Sequence, residues 1–279
     1  MKRELTLELI TSRGIQEIYN LPFFCSMLAN LSKLQSDTDL AELQPLQSPA
    51  SPSQQDWGEA IDVSVFHGRT EELATLEQWI VQDRCRLVSI LGMGGIGKTA
   101  LSVKLAEQVQ AQFELVIWRS LRNAPTLESL LGELAPFLSQ QQETEPDIRH
   151  FLKCLQNSRC LVILDNLETI LQAGSQAGYY RQGYESYGEL LRVVGESRHQ
   201  SCLILTSREK PTEIATFEGI ELSVRSLSLS GSLDIALAVI NAKGLTGTSE
   251  QKQDLCERYG GCPLALKIDR KSTRLNSSH

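Results

Sequence analysis

The sequence predicts an α/β fold in which a doubly wound parallel sheet is followed by the start of a small helical domain. Three observations predict it. Short apolar runs at Arg86–Leu91, Leu115–Trp118, Cys160–Leu164 and Cys202–Thr206 show no polar alternation, the pattern of strands covered on both faces. Helix-periodic segments separate these runs, as parallel connections require. Beyond Ser230 the strands cease and only helical periodicity continues.

Residues 1–34 carry a weak helical pattern and an apolar cluster at Leu21–Phe24, to which no chemistry attaches. From 35 to 56 the composition turns to Ser, Gln, Pro and Asp. Such a stretch buries too little surface to fold, so it is expected to be a linker ending at a domain boundary near Asp56. A first domain is expected over 57–229. It opens with a helix over Thr70–Gln82, whose first turn holds Glu71 and Glu72 where the helix dipole favours acids. Leu101, Leu105 and Val109 recur at four-residue spacing after the first apolar run. Leu127, Leu130, Leu131, Leu134, Phe137 and Leu138 form the clearest helical stripe, and Ile148, Phe151, Leu152 and Leu155 form another. A helix around Leu190–Val194 precedes the last run. Helical segments at Leu233–Ala242 and Glu250–Tyr259 then begin a second, partial domain over 230–268.

The 279 residues carry 27 Lys and Arg against 34 Asp and Glu, a net charge of −7. That balance speaks against a domain that grips nucleic acid by its overall charge. At 41% hydrophobic and 22% charged, the composition is that of an ordinary globular protein. No apolar stretch approaches the roughly 20 residues of a membrane helix. Glu4 and Glu8 interrupt the N-terminus where a signal peptide would need an apolar core. A cytoplasmic protein without membrane or nucleic-acid partners is therefore expected. The seven cysteines are odd in number, form no Cys-x-x-Cys pair, and several sit inside apolar runs such as Cys202–Leu205, so buried reduced thiols are expected. The four histidines lack ligand spacing, and no metal site built from protein ligands alone is expected.

Gly92-Met93-Gly94-Gly95-Ile96-Gly97-Lys98-Thr99 fits the phosphate-binding pattern G-x-x-x-x-G-K-[ST], and it lies between a strand and a helix. Glycines let backbone N–H groups curl around phosphate oxygens, and the helix N-terminus adds its positive end. The cradle is expected to comprise Gly92, Gly94, Gly95, Ile96, Gly97, Lys98, Thr99 and Ala100. Lys98 would bridge the β- and γ-phosphates of ATP or ADP, and the Thr99 hydroxyl would ligate Mg²⁺. The run Leu161–Leu164 ends in Asp165, which places a carboxylate at the sheet's C-terminal edge as a second Mg²⁺ ligand.

Four further segments accompany these two: Phe66-His67-Gly68-Arg69-Thr70-Glu71-Glu72-Leu73, Phe113 to Ser120, Leu205-Thr206-Ser207-Arg208, and Gly261-Cys262-Pro263-Leu264-Ala265-Leu266. Taken in order over about residues 56–268, the set resembles the NB-ARC branch of the STAND signalling ATPases. That branch includes plant disease-resistance proteins and apoptotic protease activators. The set is particularly similar to cyanobacterial proteins that join such an ATPase to C-terminal repeats. The resemblance implies that the segment with Phe66 and Arg69 lies against the adenine, that Arg208 approaches the γ-phosphate, and that Pro263 closes over the nucleotide. For Arg69 the alternative is a solvated residue at a helix start, for Arg208 a surface arginine, and for Pro263 an ordinary helix-opening proline. Many relatives place a second acid directly after the strand-end aspartate, where this chain has Asn166. An amide cannot take a proton from attacking water, so Glu168 stands as the substitute water-positioning group, or else as a solvated loop acid.

The resemblance implies a switch between an ADP-bound inactive state and an ATP-bound active one, with slow ATP hydrolysis, self-association through the ATPase domain, and protein partners bound by repeats beyond Ile268. The alternatives are a conventional P-loop enzyme, such as a small-molecule kinase or transporter ATPase, and a nucleotide-binding module with little turnover. The Tyr/Gly-rich loop Tyr179–Gly188 packs on its own sheet or offers a partner surface. Residues 269–279 break the helical pattern into a basic, Ser-rich string resembling one reading frame of a sequencing adapter, so they are expected to be an artefact and the chain a fragment.

Overall fold

A computed structural model describes residues 54–140 and 145–268. The expectations for residues 1–34, for most of the 35–56 linker and for 269–279 lie outside the described residues. Four strands occupy the centre of one parallel sheet: β2 (Leu87–Gly92), β3 (Leu115–Ser120), β4 (Cys160–Asp165) and β5 (Cys202–Ser207). With the edge strands β1 (Gln54–Asp56) and β6 (Val224–Leu229), the order is β1-β3-β4-β5-β2-β6. β5 thus separates β2, which leads into the glycine loop, from β4, which ends in Asp165.

Each central strand alternates its side chains between two covered faces, which is why it reads as a continuous apolar run. Along β4, Val162 and Leu164 join one core while Leu161 and Ile163 join the other. The first core is closed by the apolar stripes of α3 (Leu127–Leu138), α4 (Ile148–Asn157) and α5 (Ser186–Glu196). The second is closed by α1 (Thr70–Glu77) and α2 (Lys98–Val109). The short helix α6 (Thr212–Phe217) leads to β6. Beyond β6, α7 (Leu233–Ala242), α8 (Ser249–Arg258) and α9 (Pro263–Ile268) surround a small core of their own: Ala236, Ile240, Cys256 and Leu266.

Three elements differ from the sequence expectation. Gln54–Asp56, at the end of the expected linker, is the edge strand β1. Its backbone pairs with β3, and Asp56 accepts a 2.5 Å ion-paired hydrogen bond from Arg119, so it needs no apolar side chain. The helix expected over Thr70–Gln82 is α-helical to Glu77 and then widens to a π turn over Gln78–Gln82. β6 had no apolar run to announce it, because only Val224 and Leu229 are buried on this sheet edge. The tyrosine loop packs on its own sheet: Tyr180 and Tyr187 are buried, and Tyr180 donates to Glu213. Burial pushes the thiols of Cys85, Cys160 and Cys202 up, Cys160 to about 12, which favours the protonated thiol at all three. Among the described residues no helix is long and apolar enough to cross a membrane.

Candidate functional site

A cleft of about 620 Å³ opens at the C-terminal ends of the parallel strands, where sheets of this kind place ligands. One wall is the loop between β2 and α2. Gly97 takes a φ of 106°, open to glycine alone without strain, and α2 starts at the next residue. The first turn of α2 therefore meets the cleft with N–H groups that have no acceptor inside the helix. Lys98 is buried, and its ammonium donates to the carbonyls of Gly92 at 2.7 Å and Met93 at 3.1 Å. Burial lowers its pKa, nearby Glu168 works against that, and Arg208 reinforces it.

Thr99 and Asp165, far apart in sequence, meet directly. The Thr99 hydroxyl lies 2.9 and 3.0 Å from the two carboxylate oxygens of Asp165. Asp165 also accepts from the Thr206 hydroxyl at 2.5 Å and from the Asn166 amide at 2.8 Å. Burial raises its pKa, while the hydrogen bonds from Thr206 and Thr99 act against the rise. An adjoining hydroxyl and carboxylate, both hard oxygen donors, suit Mg²⁺. Asn166 holds a left-handed φ of 64°, a conformation Asn tolerates well, and its N–H donates to Thr206. The amide that replaces an acid here thus serves as a donor beside a buried carboxylate.

Arg208 Nε lies 3.2 Å from Glu168 Oε1, with Glu168 largely enclosed and Arg208 59% exposed. The second Glu168 oxygen is buried without a hydrogen-bond partner. Glu168 is therefore no solvated loop acid. Nor is Arg69 a solvated residue: it is 9% exposed. Its guanidinium donates to Glu72 at 2.6 Å, to the Ser230 carbonyl at 2.6 Å and to the Ile96 carbonyl at 3.4 Å. It thereby ties the start of α1 to the glycine loop and to the chain leaving β6.

The opposite wall comes from the helices beyond β6. Phe66 and Pro263 line an apolar part of the cleft together with Ile235 and Val239 of α7. At the start of α9, the Leu264 N–H donates to the Gly95 carbonyl at 3.3 Å. A Cβ on Gly95 would come within 2.4 Å of Leu264, so this helix lies directly on the loop. Of the residues singled out from the sequence, Gly92 and Asp165 stand behind the cleft surface; the others line it. Sequence reasoning did not pick Arg122, Lys243, Ile235 or Val239. The four-residue spacing of Ile235 and Val239 was visible as a helical stripe, but nothing local indicated what that stripe faces.

Residues 69–175 match the NB-ARC domain model. An uncharacterized WD repeat-containing protein of the cyanobacterium Nostoc is 50% identical over 259 residues, which cover 87% of this chain and 20% of that protein. A putative disease resistance protein of Arabidopsis thaliana is 23% identical over 200 residues, covering 69% of this chain and 21% of that protein. The chain thus spans about a fifth of the length of these relatives. Among solved structures, the Walker-type ATPase of Pyrococcus abyssi aligns with a TM-score of 0.49 and 17% identity, covering 72% of this chain and 65% of that one. With its glycine loop, strand-end aspartate and parallel sheet, this chain carries an NB-ARC domain built on the P-loop ATPase fold.

Proposed function

We propose that the chain is a nucleotide-operated switch of the STAND kind, in which ADP holds a closed, inactive form and ATP an open one able to self-associate and signal. The observation that carries this reading is the double wall of the cleft. The glycine loop and α2 face it from one side, α7 and α9 from the other, so one small ligand would touch both. A ligand that contacts two segments differently in two states is what shifts an equilibrium between them.

In this reading the phosphates lie on Gly92 to Ala100, Lys98 bridges the β- and γ-phosphates, and the base lies between Phe66 and Pro263. Arg69 acts beside the nucleotide by holding the loop and the chain after β6 together. Thr99 and Asp165 hold Mg²⁺, which when bound offsets phosphate charge. Arg208 turns from Glu168 to the γ-phosphate, and Glu168 then positions the attacking water. Asn166 can take no proton, and Glu168 is free to act only once Arg208 has released it, so hydrolysis is slow and each state persists. The disease-resistance relatives support a signalling role, and the WD repeat relative supports protein partners bound by repeats outside this chain.

Nucleotide retention and single-turnover hydrolysis test the proposal. Tightly held ADP with slow hydrolysis is expected, and Lys98→Ala should weaken binding at least tenfold, the scale of one charge-assisted contact. Brisk turnover with a small acceptor would mark a kinase instead. Unchanged nucleotide binding in Lys98→Ala would overturn the reading.

A further inference from the structure

We infer that Arg122 supplies a second guanidinium to the terminal phosphate of a bound nucleoside triphosphate, and so sets the preference of the site for tri- over diphosphate. This rests on the nucleotide reading above and assigns a new residue within it.

The position follows from the sheet. β3 and β4 pair with Ser120 opposite Asp165, and the Leu121 N–H donates to the Asp165 carbonyl at 2.7 Å. The chain then turns, and Arg122 reaches the cleft together with Asn166, Glu168 and Arg208. These residues stand at the ends of β3, β4 and β5. A nucleotide whose base lies by Phe66 and Pro263, with its inner phosphates on the glycine loop, would point its last phosphate toward them.

The turn that carries Arg122 is held from several sides. Its N–H donates to the Ser120 hydroxyl at 3.2 Å, and the Thr169 hydroxyl donates to the Leu121 carbonyl at 2.5 Å. Ala124 closes the turn with a φ of 48°, a strained conformation for a residue with a Cβ. Two tyrosines fasten it: Tyr184, in the loop after β4, donates to the Ala124 carbonyl at 2.7 Å, and Tyr187, in the first turn of α5, to the Pro125 carbonyl at 3.0 Å. Strain of this kind persists only where the surroundings enforce it, and it gathers where a side chain must be held in place.

Among the lysines and arginines that line the cleft, the charge on this turn is the one without a protein acceptor among the described residues. Lys98, Arg69, Arg208 and Lys243 also line the cleft, and each is bonded to a protein oxygen. The Arg122 guanidinium has no such acceptor among the described residues. ATP differs from ADP by one phosphoryl group, whose added negative charge needs a cation that does not already serve the inner phosphates. Arg122 meets that need without giving up a protein partner, whereas Arg208 must first release Glu168. A planar guanidinium also matches a terminal phosphate with two parallel N–H donors.

The test compares the affinities of the 279-residue chain for fluorescent ADP and for a slowly hydrolysed fluorescent ATP analogue, both with Mg²⁺. Arg122→Ala should lower triphosphate affinity about tenfold, the loss of one charge-assisted contact, and leave ADP affinity within about twofold. Arg122→Lys should fall between them. Tyr184→Phe, which leaves every cleft side chain in place, should lower the triphosphate preference by a smaller factor by loosening the turn. An unchanged tri- to diphosphate ratio in Arg122→Ala, as for a solvated surface arginine, overturns the inference. So does an equal loss for both nucleotides. If the unaltered chain binds neither nucleotide, the nucleotide reading fails and takes this inference with it; binding with an unchanged ratio overturns the inference alone.

Discussion

Arg208 and Glu168 neutralise each other across the cleft wall, with Nε 3.2 Å from Oε1. The pair joins the end of β5 to the turn after β4, so whatever draws the arginine away also uncovers a largely enclosed carboxylate. A terminal phosphate is such a competitor. Glu168→Gln removes the arginine's counter-ion and should tighten triphosphate binding by about threefold, the scale of a partly exposed ion pair. The same change should slow single-turnover hydrolysis about tenfold or more, because an amide accepts no proton. Hydrolysis at the unaltered rate would remove Glu168 from the chemistry.

Arg69 offers a mechanical test of how the two walls of the cleft are linked. Its guanidinium donates to Glu72, to the Ser230 carbonyl and to the Ile96 carbonyl. Arg69→Ala leaves the buried Ile96 carbonyl and the more exposed Ser230 carbonyl short of a donor and should cost about 1–3 kcal/mol. The loss should concentrate at the chain leaving β6, so protease cleavage near Ser230 should quicken and ADP should dissociate faster. Arg69→Lys keeps the charge but cannot reach three acceptors with one compact head, so it should rescue only part. Global destabilisation with no change in ADP release would mean that the arginine braces the fold without linking the walls.

How much of this was legible in the sequence depended on range. The central strands β2 to β5 announced themselves because burial on both faces demands continuous apolar runs. β1 carries Gln54, Gln55 and Asp56, and main-chain pairing plus the distant Arg119 holds it, so no local pattern could reveal it. β6 mixes polar and apolar residues because it lies at the other sheet edge. The same division runs through the cleft. The glycine loop and Asp165 are local patterns with a fixed chemical meaning. Arg122 acquires meaning only through Tyr184 and Tyr187, which fasten its turn from about 60 residues away. Ile235 and Val239 of α7 showed periodicity but not the cleft they line.

His199 gives a pH dependence that is independent of the cleft. It precedes β5, at the edge of the sheet away from the glycine loop. Its Nε2 is 2.9 Å from the Val194 carbonyl and its Nδ1 is 3.2 Å from the Ser201 N–H. One ring nitrogen therefore donates and the other accepts, which only the neutral ring can do. Burial lowers its pKa below the usual 6.5, although its backbone hydrogen bonds oppose the shift. The unfolded chain then takes up the proton first, so this contribution to stability is present above pH 6.5 and is lost as pH falls through the folded value. Thermal midpoints should drop between pH 7 and pH 5. His199→Gln can keep one donor and one acceptor, and it should flatten that part of the profile. A slope identical to that of the unaltered chain would assign the pH dependence to other groups.

Asn166 is the position where a single substitution separates chemistry from stability. Its amide donates to Asp165 at 2.8 Å, and its left-handed backbone suits Asp nearly as well as Asn. Asn166→Asp therefore keeps the turn but exchanges a donor for a second carboxylate beside one that burial already makes costly to ionise. Without metal, the loss of that hydrogen bond and the like-charge contact should cost about 1–3 kcal/mol. Mg²⁺ held by Thr99 and Asp165 would compensate the added charge, so Mg²⁺ with nucleotide should stabilise this variant more than the unaltered chain. The new carboxylate could accept a proton from attacking water, and single-turnover hydrolysis should rise by about tenfold, the low end of general-base effects. Paired melting curves in chelator and in Mg²⁺ check the first expectation, and a rapid-quench time course checks the second. Equal destabilisation with and without Mg²⁺ would show that the cation does not sit beside Asp165.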